Sequence, residues 1–314
     1  MAYAVRNMVK SDIPAYVEFY NLTSSPDQHI DEEEAMAMTF QDPTYSPERH
    51  FLAVDSESEA IHADCRLDIN RSFIETNGPV SSMVLHYRNR EAADEVMIGA
   101  ADFLSGMGIT AVTTWVRAKS PVWRYLNDRS FMAVRDFLVM SMRPSALQPD
   151  IPDGYTIRSA RFPGEKDIFR KTINDSFRGQ FAYYEMDERD FEKRYMLPED
   201  MDRSGFYLAF APDSTPAGVV ASYLKSENVG DLRGLGVLPE HRGKGLGRAL
   251  AAMSVSFFAE NGVEKVTLGV DSMNEPAIRI YSSLGFSREY SVMVVRASVK
   301  EMRESILNRG SAEI

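Results

Sequence analysis

The chain has 314 residues, room for two domains at about 150 residues each. Its 44% hydrophobic and 26% charged residues exclude intrinsic disorder, collagen-like repetition and a disulfide scaffold. A net charge of −11 argues against a nonspecific grip on nucleic acid. Cys65 is the only cysteine, which excludes an intrachain disulfide and a thiolate zinc site and fits a reducing, cytoplasmic setting. The five histidines, His29, His50, His62, His86 and His241, show no paired ligand spacing, so no metal is expected. Met1 to Lys10 lacks the apolar stretch of a signal peptide, and apolar runs such as Gly218 to Tyr223 are far too short to cross a bilayer, so no membrane partner is expected.

Taken in chain order, the predicted elements occur twice. Tyr3-Ala4-Val5-Arg6-Asn7 reads as a short strand before a helix, and Tyr155-Thr156-Ile157-Arg158-Ser159 repeats it at an offset of 152. Met107-Gly108-Ile109 leads into the apolar strand Thr110 to Val116, and Asn261-Gly262-Val263 leads into Glu264 to Val270 at an offset of 154. Phe131 and Phe286 each open a final strand, at an offset of 155. Between the copies, Arg143 to Gly154 contains three prolines and a glycine and reads as a linker. Val299 to Asn308 reads as a short C-terminal helix stopped at Gly310, with a mobile tail beyond. The division expected is 1–143, a linker over 144–154, 155–298, and a C-terminal helix and tail over 299–314. Strands before, between and after helices predict an α/β (α+β) architecture with helices covering a mixed sheet in each copy.

The most informative stretch runs from Asp231 to Leu250. Leu232 to Val237 reads as a strand ended by Pro239, and Leu246, Leu250, Met253 and Phe257 recur at helical spacing from Gly247 onward. Between them, Gly243, Gly245 and Gly247 let successive backbone N–H groups point at one anion where the helix dipole is positive, with Lys244 and Arg248 adding charge at the rim. Pyrophosphate is the natural guest. The spacing matches no Walker loop, and a G-x-G-x-x-G fingerprint would need its third glycine where Arg248 stands.

Arg242-Gly243-Lys244-Gly245-Leu246-Gly247 resembles the R/Q-x-x-G-x-G/A signature of the GNAT acyltransferase superfamily. Val270-Asp271-Ser272-Met273-Asn274, followed by Ala277, Tyr281 and Gly285-Phe286, resembles the second signature of that superfamily at the expected distance. The resemblance covers about residues 155–298 and implies two tandem GNAT-like domains, each a splayed mixed sheet flanked by helices. It implies acetyl-CoA as acyl donor, held by Leu235, Gly236, Val237, Arg242, Gly243, Lys244, Gly245, Leu246, Gly247, Arg248 and Asn274. Backbone N–H groups of Leu235 and Val237 would hold the thioester and pantetheine. For Asn274 a helix-capping role is equally open.

In the first copy the loop positions fall on Arg88-Asn89-Arg90-Glu91-Ala92-Ala93, so a carboxylate stands where pyrophosphate would sit. Lys119 stands near the position of Asn274, and Leu126 replaces Tyr281. This copy reads as a degenerate, noncatalytic domain that shapes the substrate cleft or the domain interface. Such a pair, with the intact copy second, resembles the tandem mycothiol synthase group, an echo of architecture more than of acceptor. The implied chemistry is direct acetyl transfer to a primary amine of a small molecule. Asp231 is the candidate base acting through water, or else a strand-end carboxylate; Tyr281 is the candidate acid toward the leaving thiolate, or else a packed aromatic. Asn174 to Glu185 is the expected acceptor wall, and Asp187 to Tyr195 a solvated amphipathic helix. A noncatalytic acyl-CoA sensor and a peptide or protein N-acetyltransferase are the competing readings. The assembly is open between a monomer with pseudo-twofold domains and a homodimer.

Overall fold

A computed structural model describes residues 3–24, 28–42, 44–197, 201–226 and 228–310. The chain divides into two compact units, one running to Val134 and resuming at Met293, the other Arg135–Val292.

The first unit contains β1 (Tyr3–Asn7), α1 (Ile13–Thr23), α2 (Glu32–Met38), β2 (His50–Asp55), β3 (Ile61–Asp68) and α3 (Arg71–Asn77). These lead into β4 (Val80–Tyr87), α4 (Arg90–Gly106), β5 (Ala111–Arg117) and α5 (Pro121–Asn127). Strands β1 to β4 are antiparallel neighbours in chain order, and β5 lies parallel to β4. A register shift between β2 and β3 divides the core. Ala63, Cys65 and Leu67 face α4, whose buried stripe of Ala93, Val96, Met97, Ala100 and Leu104 has helical spacing, while Ile61, beyond the shift, packs with Leu52 of β2 against α1 and α2.

The second unit repeats the plan. It holds β6 (Met132–Met142, from Arg135 on), β7 (Thr156–Ser159), α6 (Lys166–Phe177), α7 (Glu188–Phe191), β8 (Phe206–Phe210) and β9 (Pro216–Ser226). It continues through β10 (Val229–Val237), α8 (Leu246–Glu260), β11 (Lys265–Asp271) and α9 (Glu275–Ser283) into β12 (Ser287–Ser298). Strand order is β6-β11-β10-β9-β8-β7. Residues of α8 and α9 form the core on one face of β10, and α6, α7 and the turn after it form the core on the other.

The duplication is visible in repeated bonds. Arg6 grips Asp12 through two hydrogen bonds of 2.6 and 2.7 Å, and Arg158 grips Glu165 through two of 2.8 and 2.6 Å. The Ile109 N–H donates to Leu104 and that of Phe131 to Leu126, as Val263 does to Phe258 and Phe286 to Tyr281. The tandem, splayed α/β architecture is therefore the observed one.

The units differ from a division in simple chain order, because the last strand of each copy serves the other. Strand β6 runs antiparallel to β11, from Val266↔Met142 to Asp271↔Phe137. The residues of β12 from Met293 onward stand beside β5 and lead into α10 (Val299–Gly310), whose Val299, Met302 and Ile306 are buried in the first unit's core. Arg303 of α10 pairs with Asp102 of α4 at 2.6 Å. The C-terminal helix is thus part of the first unit rather than an appendage; the tail from 311 lies outside the described residues. The stretch 144–154 is irregular, as its prolines require, and is tied to α8 where Ser256 Oγ exchanges hydrogen bonds with the Leu147 backbone. Among the described residues no helix is long and apolar enough to cross a membrane.

Candidate active site

The site is built from a split in the second sheet. Strands β10 and β11 pair in parallel at only three positions, Val229↔Lys265, Gly230↔Val266 and Asp231↔Thr267. Beyond them β10 continues to Val237 and β11 to Asp271, so the strands part toward their C-terminal ends. In the same stretch β10 carries a bulge: Arg233 faces Ala221 and Gly236 faces Val219, three steps on one strand against two on the other. A bulge leaves its extra residue out of the ladder, which releases backbone groups around Leu235 for another partner. Gly236 is required by close approach, since a Cβ there would lie 2.5 Å from the Ser176 Cβ. Ser176 is buried, and its Oγ has no hydrogen-bond partner among the described residues.

The loop after β10 is held open by its own backbone. Gly243 and Gly245 have φ of +76° and +90°, in the left-handed region that glycine enters without cost. No atom lies within 4 Å of a Cβ placed on Gly243, so conformation rather than space demands glycine there. Gly245 is the N-cap of α8, and among the described residues no side chain caps that 15-residue helix, so its leading N–H groups face the loop with the positive end of the dipole behind them. In the first unit Asn89 caps α4 instead, its side chain accepting the Ala92 N–H at 2.8 Å. Arg242 is a positioning residue: its Nε donates to the Val237 carbonyl at 3.0 Å and a terminal nitrogen to the Ser176 carbonyl at 2.8 Å, joining loop, β10 and α6. Lys244 donates to Tyr155 Oη at 3.2 Å, and Arg248 is exposed on the first turn of α8. Leu246 is buried, so only its backbone is offered to a ligand. A Cβ on Gly247 would meet Ile280 at 3.3 Å, so this glycine seats α8 against α9.

Asn274 does cap α9, its side-chain oxygen accepting the Ala277 N–H at 3.2 Å. Tyr281 is buried in the core shared by α8 and α9 and packs edge-on against Phe286 at 5.8 Å. Burial pushes its pKa well above the ordinary phenol value, so the hydroxyl stays protonated at neutral pH. That hydroxyl makes no hydrogen bond among the described residues, leaving the proton without a structural duty.

Asp231 lies across the sheet from Tyr281. Leu232 packs with the α8/α9 core, whereas Asp231 pairs in register with Tyr223 on the opposite face. Its carboxylate takes a 2.5 Å hydrogen bond from Arg233 Nε and a 3.3 Å one from Thr267 Oγ1, with Lys225 Nζ 3.7 Å away. Arg233 in turn lies over the Tyr223 ring at 4.6 Å. The sequence reasoning missed Arg233, although two residues along one strand always share a face. It also missed Ser176, for which no local signal exists.

In the expected acceptor wall, Asn174 is buried and exchanges hydrogen bonds with the Met186 backbone, so it braces the segment from within. Asp175 pairs with Arg178 at 2.9 Å and Glu185 with the same arginine at 3.8 Å, while Phe181 is exposed beneath Arg135. The expected helix over Asp187 to Tyr195 is only Glu188–Phe191 followed by a wide turn, because Phe191 and Tyr195 are drawn into the core. Its acids do lie outside, where Lys166 bridges Glu188 and Glu192.

Residues 168–286 match the sequence model of the acetyltransferase (GNAT) family. The second unit carries a GNAT domain. A mycothiol acetyltransferase of Streptomyces avermitilis is 26% identical over 226 residues, covering 69% of this chain and 71% of that protein. One from Streptomyces bingchenggensis is 32% identical over 144 residues, 45% of each chain. Among solved structures, a GCN5-related N-acetyltransferase from Sphaerobacter thermophilus superposes with a TM-score of 0.73 at 18% identity, over 95% of this chain and 96% of that one. A tandem GNAT protein of the clavulanic acid pathway gives 0.70 at 12% identity, over 95% and 99%. The matched region is an N-acetyltransferase domain by family.

Proposed function

We propose that the second unit transfers acetyl from acetyl-CoA directly to the primary amine of a small molecule in the cytoplasm. The observation that carries this reading is the uncapped, glycine-led N-terminus of α8 beside the split between β10 and β11. The open space at Gly243, the left-handed backbone at Gly245 and the helix dipole fit a pyrophosphate, with Lys244 and Arg248 able to swing onto it. Backbone groups of Leu235 and Val237, at and beyond the bulge, fit an extended amide-bearing arm lying in the split, and Asn274 borders it. Bound acetyl-CoA supplies a thioester-activated acetyl group.

The residues of the chain then manage protons. Asp231, on the α6 face, receives the ammonium proton through water once the Arg233 N–H releases the carboxylate oxygen it holds. Tyr281, on the other face, offers its unengaged proton to the departing thiolate. The mycothiol acetyltransferases among the relatives support a small-molecule acceptor. The test is release of CoA thiol from acetyl-CoA across a panel of aminosugars, polyamines, amino acids and peptides. Release on a small amine supports the proposal; saturable acetyl-CoA binding with no release on any acceptor would refute it in favour of a sensor.

A further inference from the structure

The first unit, whose phosphate loop is lost, contains a cavity of its own. Strands β4 and β5 pair only from Val80↔Ala111 to Ser82↔Thr113 and then part, as β10 and β11 do. Between them lies a cavity of about 280 Å³ walled by Met83, Leu85, Val116 and Leu126, with His86 and Arg117 also lining it. His86 on β4 and Arg117 on β5 each lie four residues past the last paired position, so each of the parting strands contributes a nitrogen donor to the lining.

His86 is held by an unusual support. Asp64 on β3 is 1% exposed and accepts from His86 Nδ1 at 2.8 Å, from the His86 backbone N–H at 3.1 Å and from Tyr16 Oη at 3.4 Å. It also meets His50 Nε2 at 3.1 Å, and His50 Nδ1 meets Tyr45 Oη at 3.0 Å. Burying a carboxylate is costly unless each lone pair is used, and here each is. The result is an imidazole fixed in orientation, with Nδ1 engaged and Nε2 making no hydrogen bond among the described residues.

We infer that the β4/β5 cavity of the first unit binds a small ligand with an apolar body and one carboxylate head, received by His86 and Arg117. The volume lies just below the usual range for small-molecule pockets, about 300–1,000 Å³, which suits a short acyl or aryl acid. A coenzyme A pyrophosphate is disfavoured, because Asn89 occupies the N-terminal amide of α4 and Glu91 adds negative charge in its first turn. Burial opposes a charged His86 ring, but the Asp64 carboxylate outweighs it and raises the pKa, which favours the donor form near neutrality.

The probe is hexanoate, with hexan-1-ol as its uncharged match, followed by tryptophan fluorescence, since Trp115 also lines the cavity. Saturable binding of hexanoate, tighter than the alcohol by about tenfold or more, is expected for a charge-assisted head-group contact. Arg117→Gln and His86→Gln should each weaken hexanoate by about the same factor, and Val122→Phe, which fills the cavity from α5, should abolish binding of both probes. Should His86→Gln fail to fold, the Arg117 and Val122 variants decide alone. Gly245→Asp should leave hexanoate binding intact, which separates this site from the acetyl-CoA site. Absence of saturation at millimolar hexanoate, equal affinity for alcohol and acid, or loss of binding in Gly245→Asp with retention in Val122→Phe would overturn the inference.

Discussion

Gly245→Asp places a carboxylate at the N-cap of α8, where the loop is proposed to meet pyrophosphate. Two effects must be separated. The first is conformational: at φ of +90° any side chain is strained, costing about 1–2 kcal/mol, with only Pro152 at 3.8 Å as a neighbour. That cost falls on free and bound protein alike, so it lowers the melting temperature and leaves affinity nearly unchanged. The second is electrostatic: two unit charges about 4 Å apart repel by about 4 kcal/mol at an effective dielectric constant of about 20. On an open loop that figure is a ceiling, so acetyl-CoA affinity should fall by between about tenfold and about 10³-fold, at roughly 1.4 kcal/mol per decade. Gly245→Ala carries the strain without the charge and serves as the control. Isothermal calorimetry with acetyl-CoA, alongside thermal melting of both variants, reads the two effects. Salt should restore part of the lost affinity in the aspartate variant only. Undiminished affinity in folded Gly245→Asp would refute the assignment of this loop.

Tyr281→Phe removes a hydroxyl without a hydrogen-bond partner among the described residues, so melting temperature and acetyl-CoA affinity should hold while kcat falls about 10²–10⁴-fold; full turnover would remove Tyr281 from the mechanism. Asp231→Asn should lower kcat/KM by roughly 10²-fold and shift the acidic limb of the pH–rate profile, and an unmoved limb would assign deprotonation elsewhere. Gly236→Ala should destabilise the protein by about 1–3 kcal/mol, because its Cβ would meet the Ser176 Cβ at 2.5 Å; an unchanged denaturation midpoint would show that the bulge yields. The His86 pKa is raised in the fold, so its pairing with Asp64 stabilises below the unfolded value of about 6.5 and is lost as pH rises through the folded value. Urea stability should therefore decline above about pH 6.5 more steeply in the wild type than in His86→Gln, and parallel profiles would contradict that pairing.

Local sequence determined the elements and the loop. Periodicity marked β10 and α8, Gly243 and Gly245 between them marked a turn with left-handed backbone, and near-constant offsets marked two copies, because all of these depend on residues close in the chain. The capping geometry of Asn274 was equally legible, since it is settled within four residues. Tertiary structure alone decided the rest. Chain order could not show that β6 completes the ladder of β11, nor that α10 packs on α4, because strand pairing and helix docking reward buried surface regardless of sequence distance. Arg242 emerged as a brace of the loop only when the carbonyls of Val237 and Ser176 came within its reach. The Asp64–His86 pair, from residues 22 apart in the chain, came together through the β3–β4 ladder, which seats Asp64 directly opposite His86. A buried carboxylate leaves no periodic trace in sequence; its meaning comes from the partners that the folded sheet brings to it.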